Sequence, residues 1–363
     1  MSKKQNRPIK KPASRLSLCM IVKNEEKFLE GCLESVKGIV DEIVVVDTGS
    51  TDRSKEIAVK YGAKLFDFEW VGDFSAARNY SLRQCTGNWI LYLDADERLA
   101  ENQGAALRTL ISNPAVCAYN IIIENPHSLH QGNVNQENSY PRLFRKMPGV
   151  QFEGKVHEQL SPSLMRQKLT MKQSSIVIQH LGYDQGYDVV KHKAERNLEL
   201  LRKQLDENPD DAYAQFQIGN SLVVLQRYDE AKPVLELAVT QKGLDASNRA
   251  SCYNLLAEVE VRRGNLSGAI EFCLKSLELA PGQVMAYWFL SLLHFDLKEY
   301  DKAISALKKV EQVLRVPTAQ RSNHIASDLD VKMVDLHKRF ALTYESAGDY
   351  DKAMEYQFHL MEQ

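Results

Sequence analysis

The sequence predicts an α/β domain with a mostly parallel sheet at the N-terminal end and an all-α array of helical hairpins at the C-terminal end. Three observations predict it. Between Leu16 and Glu97, short apolar runs alternate with segments of helical spacing, the pattern of βαβ units. Within that pattern, Asn88-Trp89-Ile90-Leu91-Tyr92-Leu93 runs into Asp94-Ala95-Asp96-Glu97, so a buried strand ends in three carboxylates. From Ala212 to Gln363, near copies of Tyr-Asp-x-Ala recur among amphipathic helices. At 363 residues the chain also exceeds what one core usually holds, which agrees with two domains.

Taken in order, the first 15 residues carry six cations (Lys3, Lys4, Arg7, Lys10, Lys11, Arg15) and no acid, and read as a disordered basic tail. Leu16–Val22 is a strand, too short for a signal-peptide core or a membrane span, and Lys23-Asn24-Glu25-Glu26 ends it. Lys27–Val36 has helical spacing, and Ile43–Val46 is a second apolar strand that stops at Asp47-Thr48-Gly49-Ser50-Thr51-Asp52. Asp52 to Tyr61 is helical with Gly62 as its stop, Lys64–Phe68 is a third strand, and Phe74 to Arg83 is another helix. After Asn113-Pro114 the spacing predicts strands at Ala118–Ile123 and Tyr140–Phe144, antiparallel or mixed, joined by the polar stretch Asn125–Asn138. Gln151–Glu158 reads as a short extended piece and Ser175–Gln179 as one more strand, closed by His180-Leu181-Gly182-Tyr183. A helix with Leu198, Leu201 and Leu205 runs out at Asn208-Pro209.

Beyond that point the chain repeats itself. Tyr228-Asp229-Glu230-Ala231, Tyr300-Asp301-Lys302-Ala303 and Tyr350-Asp351-Lys352-Ala353 are near copies, and Asn265-Leu266-Ser267-Gly268-Ala269 is a degenerate fourth. The alanines are 38, 34 and 50 residues apart, and about 34 is the tetratricopeptide period. Gly219, Ala257, Ser291 and Ala341 each fall 12 positions before one of these alanines, where a small residue lets two helices approach. The longest interval predicts an insertion, helix or loop, around Arg315–Asp330. The chain thus divides into a tail (1–15), an α/β domain (16–187), a linker helix (188–211) and about four tetratricopeptide-like hairpins (212–363).

Composition bounds the function classes. Lys and Arg number 46 against 48 Asp and Glu, so the net charge of −2 points neither to nucleic acid nor to an anionic membrane surface. Six cysteines (19, 32, 85, 117, 252, 273) lack Cys-x-x-Cys spacing and lie mostly in apolar segments, as buried thiols of a reducing, cytoplasmic compartment do.

Four polar segments end strands or open helices in the first half, and ligands of open α/β sheets bind outside the carboxyl ends of the strands. They are Lys23–Glu26, Asp47–Asp52, Asp73-Phe74-Ser75-Ala76-Ala77-Arg78-Asn79 and Asp94-x-Asp96. Gly49 lets backbone approach a ligand. Arg78, a cation near a helix start, runs against the helix dipole and suggests an anionic or polar ligand. Asp94 and Asp96 suit a hard divalent cation with a diphosphate; the competing reading is an acidic turn capping the next helix.

Met20-Ile21-Val22-Lys23-Asn24-Glu25-Glu26, Val45-Val46-Asp47-Thr48-Gly49-Ser50-Thr51-Asp52, Phe74–Asn79 and Leu93-Asp94-Ala95-Asp96-Glu97 together resemble, in order and spacing, the family 2 glycosyltransferases of the Rossmann-like GT-A fold. With the repeats, the chain is similar to SunS-type peptide S-glycosyltransferases. The resemblance implies an inverting transfer from a nucleotide-sugar donor, most often a UDP-sugar, aided by Mn²⁺ or Mg²⁺. It implies that Asp47 accepts from the uracil edge, that Asn24 and Glu25 stand near base and ribose, that Asp52 also belongs to the nucleotide-sugar site, and that Arg78 and Asn79 shape the uridine and sugar side. Asp94 would contact ribose or sugar or reach the metal through water, Asp96 would ligate the metal, and His180 resembles the late metal or diphosphate ligand of such enzymes. Glu158 is the expected general base, with Asp184 and Glu153 as alternatives, and His157 an expected diphosphate or acceptor contact. Trp70 and Trp89 are expected in the core. The repeats would hold a peptide, protein or glycan acceptor, or a second copy of the chain. Two rivals remain at this stage: a repeat scaffold with an inactive GT-A domain, and a nucleotidyltransferase, whose Gly-rich phosphate loop Lys23–Glu26 does not match.

Overall fold

A computed structural model describes residues 14–124, 135–181, 187–316 and 327–361. Its first four strands, β1 (Leu16–Val22), β2 (Glu42–Asp47), β3 (Lys64–Asp67) and β4 (Trp89–Tyr92), alternate with α1 (Leu29–Ser35), α2 (Ser54–Lys60) and α3 (Phe74–Gln84). β1 pairs in parallel with β2 and β4, and β2 with β3. Both faces of this sheet are covered, which is why the strands read as unbroken apolar runs. Leu18, Met20 and Leu91 pack with Leu29 and Leu33 of α1 on one face, while Cys19, Val44, Ile90 and Tyr92 pack with Phe144 and Phe152 on the other.

The second half of the domain turns mixed. β5 (Glu97–Leu99), α4 (Gly104–Ser112), β6 (Ala118–Glu124), β7 (Asn135–Arg145), α5 (Ser161–Arg166) and β8 (Met171–His180) complete it, and the sheet runs 3-2-1-4-7-6-8-5. β7 is antiparallel to both β4 and β6, as the spacing predicted, and β8 is parallel to β6. The sequence did not show β5: three residues directly after the acidic turn pair antiparallel with the end of β8, Glu97 opposite His180. Strand 151–158 reduces to a single bridge between Glu153 and Gln159.

α6 (Tyr187–Glu207) leads into four helical hairpins: α7 (Ala212–Val224) with α8 (Tyr228–Thr240), α9 (Ala246–Arg262) with α10 (Leu266–Leu279), and α11 (Met285–Asp296) with α12 (Tyr300–Leu314). After β9 (Ser327–Asp330), the pair α13 (Met333–Ala347) and α14 (Tyr350–Met361) closes the chain. The repeat alanines Ala231, Ala269, Ala303 and Ala353 are buried, and Gly219 lies so close to Leu235 of α8 that a Cβ there would come within 2.3 Å of its Cδ2.

Two expectations change. α6 is more than a linker: Leu198 and Leu201 sit in one apolar cluster with Val156 and Phe74 of the α/β domain and with Phe216 and Leu222 of the first hairpin. The long interval between the last two repeats is not simply helix or loop, because it delivers β9 to the N-terminal sheet, antiparallel to Asn135–Asn138 of β7. No pattern in Ser327-Asp328-Leu329-Asp330 announces a strand; its pairing partner lies almost two hundred residues earlier in the chain.

All six cysteines are free thiols, five of them buried and Cys117 partly so. Among the described residues no helix is long and apolar enough to cross a membrane.

Candidate active site

A cleft of about 500 Å³ opens at the carboxyl ends of β1, β2 and β4. Strand termination puts Lys23, Glu25, Thr48, Asp94 and Asp96 on its floor; α3 adds Phe74 and Arg78, the 156–158 segment adds His157 and Glu158, β8 adds His180, and α6 adds Lys193, Arg196 and Asn197.

Arg78 organises one end. Its buried guanidinium donates from Nη2 to Asp94 Oδ1 at 2.7 Å and from Nε to Glu158 Oε1, and its plane lies 5.2 Å from the ring centre of Tyr92. The anion that the sequence led us to expect for Arg78 is therefore supplied by the protein's own carboxylates. Burial opposes charge on Asp94, but Arg78 and then Arg142 overcome it and bring its pKa down to about 2. Arg142, absent from the sequence reading, is 8% exposed and bonds Glu97 Oε1 at 2.7 Å; its Nη1 is 3.8 Å from Asp94 Oδ2. Burial pushes the Glu97 carboxyl up to about 7 in spite of that arginine. Only its distant position in sequence, mid-strand in β7, hid Arg142.

Asp96 organises the other end. The β5–β8 register sets His180 beside it, with Nε2 3.2 Å from Asp96 Oδ2, and Leu181 N–H donates to the Asp96 carbonyl at 2.8 Å. Burial works against a charged His180, yet the Asp96 carboxylate, helped by Glu97 and Asp94, raises its pKa. Glu25 lies on the same side; burial first, then Asp96 and Asp94, push its carboxyl up to about 7. Burial is the larger cause of the Glu25 shift and the neighbouring carboxylates the smaller; a divalent cation beside Asp96 would lower it. Asp96, with His180, fits such an ion. Asp94 does not fit as a direct ligand, because two arginines hold it, and among the described residues no three His, Cys, Asp or Glu side chains converge for a metal.

Asp47 is 1% exposed; its Oδ1 accepts from the N–H groups of Gly49 and Ser50 at 3.0 and 2.9 Å, while Oδ2 is buried without a hydrogen-bond partner. Asp47 itself does not line the cleft; it stands directly behind Thr48, which does. His157 adopts a left-handed backbone (φ 53°), unusual outside glycine, and burial lowers its pKa.

Other expected contacts are occupied elsewhere. Asn24 Oδ1 accepts from Thr51 N at 2.8 Å, which ties the first loop to the second. Asp52 accepts from the N–H groups of Glu26 and Ser54 at 3.0 and 2.9 Å and so opens α2. Asn79 makes paired bonds of 2.9 Å with the backbone of Phe152. These three residues build the walls of the cleft and do not line it. Glu153 is held by Arg166, which lowers its pKa, and it does not line the cleft; Asp184 lies outside the described residues. Trp89 is core, fully buried, whereas Trp70 departs from expectation: it is half-buried at the cleft mouth, its ring 4.7 Å from that of Phe74.

Residues 17–172 match the family described as glycosyl transferase family 2, and residues 216–284 and 286–313 match tetratricopeptide repeats. A TPR repeat-containing protein of Synechococcus elongatus is 36% identical over 264 residues, 71% of this chain and 64% of that protein. The SPbeta prophage-derived glycosyltransferase SunS of Bacillus subtilis is 30% identical over 261 residues, 68% of this chain and 58% of that protein. An uncharacterized glycosyltransferase of Rickettsia typhi is 38% identical over 87 residues, 24% of this chain and 30% of that protein. The chain thus spans about three fifths of the length of the first two relatives.

Proposed function

The N-terminal domain of this chain belongs to glycosyl transferase family 2 and its C-terminal half to the tetratricopeptide repeats, and from that premise we propose that the protein transfers a sugar from a nucleotide-diphosphate donor, a UDP-sugar, to a peptide or protein acceptor with inversion. The observation that carries the reading is the split cleft. One end holds Asp94 between two arginines, and the other sets His180 beside Asp96 with Glu25 lining the same cleft.

In this reading Asp47, next to the cleft-lining Thr48 at the end of β2, meets the base edge once the turn after it opens. Asp94, oriented by Arg78, meets ribose or sugar. Mn²⁺ or Mg²⁺, held by Asp96 and His180, would neutralise the diphosphate as it leaves. Glu158 stands across the cleft with Oε1 held by Arg78, which aims the carboxylate and leaves Oε2 to take the acceptor's proton. The half-buried pair Trp70 and Phe74 at the mouth offers an apolar seat for the acceptor. The repeats, continuous with the cleft through α6, are the surface that would hold the rest of a peptide.

Nucleoside-diphosphate release from a panel of UDP-sugars, with and without Mn²⁺ and with Asp96→Ala as control, tests the proposal. Slow, Mn²⁺-dependent release from one donor, lost in Asp96→Ala, is expected. No release from any donor, together with no thermal shift by UDP and Mn²⁺, would overturn it and favour a repeat scaffold with an inactive α/β domain.

A further inference from the structure

We propose that α6, the helix leading into the repeats, supplies a cationic cradle for the donor diphosphate through Lys193 and Arg196. The inference rests on the glycosyltransferase reading above.

The helix presents two different faces. Ala194, Leu198 and Leu201, at helical spacing, are buried in the cluster between the two halves of the chain or beside it. Lys193, Arg196 and Asn197, three and four positions apart on the adjoining stripe, line the cleft that also contains Asp96 and His180. Arg196 is held in place, its guanidinium 5.3 Å from the centre of the Phe74 ring and its Nη2 3.2 Å from Asn197 Oδ1. Asn197 in turn reaches toward His157, with 3.5 Å between Nδ2 and Nε2.

Charge decides what these cations are for. The two arginines of the cleft floor, Arg78 and Arg142, are engaged by Asp94, Glu158 and Glu97. Among the described residues neither Lys193 nor Arg196 has a carboxylate within ion-pair distance, although Lys193 is near enough to Glu25 to oppose the upward push on its carboxyl. A cation on a cleft wall with no carboxylate bound to it is available to an anionic ligand, and guanidinium with ammonium suits a diphosphate. Because α6 is packed on the first hairpin as well as on Val156, this half of the phosphate site depends on the repeats being in place.

The test is calorimetric titration of the full chain with UDP, GDP, inorganic pyrophosphate, uridine and guanosine, with and without Mn²⁺. Wild type is compared with Lys193→Gln, Arg196→Gln, the double variant and Arg196→Lys, each checked for an unchanged melting temperature. Loss of a charge-assisted phosphate contact is worth about tenfold or more in Kd. The double variant is expected to bind the diphosphates and pyrophosphate at least about tenfold more weakly, with nucleoside affinity unchanged, and Arg196→Lys is expected to retain most of the binding. If the variants bind nucleoside diphosphates as wild type does, or lose nucleoside and diphosphate affinity alike, the cradle is wrong and the transferase reading stands. If wild type binds no nucleotide with or without Mn²⁺, both fall.

Discussion

Arg78 Nη2 lies 2.7 Å from Asp94 Oδ1, and the same guanidinium holds Glu158. One arginine on α3 therefore sets the positions of two carboxylates that come from opposite sides of the cleft, one after β4 and one in the 156–158 segment. The arrangement explains a cation near the start of a helix, one turn in, where the backbone dipole disfavours it: the two carboxylates outweigh the dipole.

Arg78→Ala is expected to strip Glu158 of its arginine, to leave Asp94 only its longer contact with Arg142, and to lower stability by about 3 kcal/mol, read as a fall in melting temperature. Arg78→Lys should recover little, since an ammonium cannot serve two carboxylates along two fixed directions. The double variant Arg78→Ala/Glu158→Gln should be more stable than Arg78→Ala alone, because one uncompensated buried charge is gone. A melting temperature equal to wild type in Arg78→Ala would show that the clamp does not support the fold.

Gly219→Ala is expected to destabilise the first repeat. An added Cβ would stand 2.3 Å from Leu235 Cδ2 and 2.5 Å from its Cγ, so the Leu235 side chain or the helix that carries it must shift. Overpacking of this kind costs about 1–3 kcal/mol. Denaturant unfolding measures it, and an unchanged or raised midpoint would mean that the hairpin relaxes freely.

Glu42 predicts an acid limb to the stability curve. Burial opposes its charge, but hydrogen bonds from Lys64, Ser17 and Thr86 overcome that and lower its pKa from the ordinary 4.5 to about 2. The folded state thus binds this proton less readily than the unfolded one. Its contribution is fully present above about pH 4.5 and disappears as the pH falls toward 2. Glu42→Gln should melt below wild type at pH 7, and the difference should shrink on acidification through that window. A difference independent of pH would exclude the ionised carboxylate as its source.

Residues 1–208 expressed alone are expected to be soluble only poorly and to bind the dye ANS. The cut leaves Leu198 and Leu201 without Phe216 and Leu222, and it removes β9 from the edge of β7. A cooperative melt of the fragment equal to that of the full chain would show that the two halves fold independently.

Much of this was legible from residues close together in sequence. Apolar runs and helical spacing placed β1 to β4 and α1 to α3 within a residue or two, and the Tyr-Asp-x-Ala tetrads placed the hairpins, because each signal is carried by local periodicity. Asp47, Asp94, Asp96, Glu158 and His180 were singled out because they follow strands, and the structure gathers four of them around one cleft with Asp47 buried at the end of β2. Asn24, Asp52 and Asn79 carry the same signal yet serve the walls, since a polar residue after a strand caps a loop or faces a ligand with equal ease.

The sequence by itself determined the two-part architecture, the parallel half of the sheet and the carboxylates at its edge, all of which depend on neighbours within a few turns of chain. Tertiary structure alone decided which carboxylate is paired: Arg142 reaches Glu97 across 45 residues, Arg78 reaches Glu158 across 80, and His180 meets Asp96 across 84 through the register of a strand that no pattern announced. Charge pairing in a low-dielectric cleft depends on distance in space, and sequence separation carries no record of it.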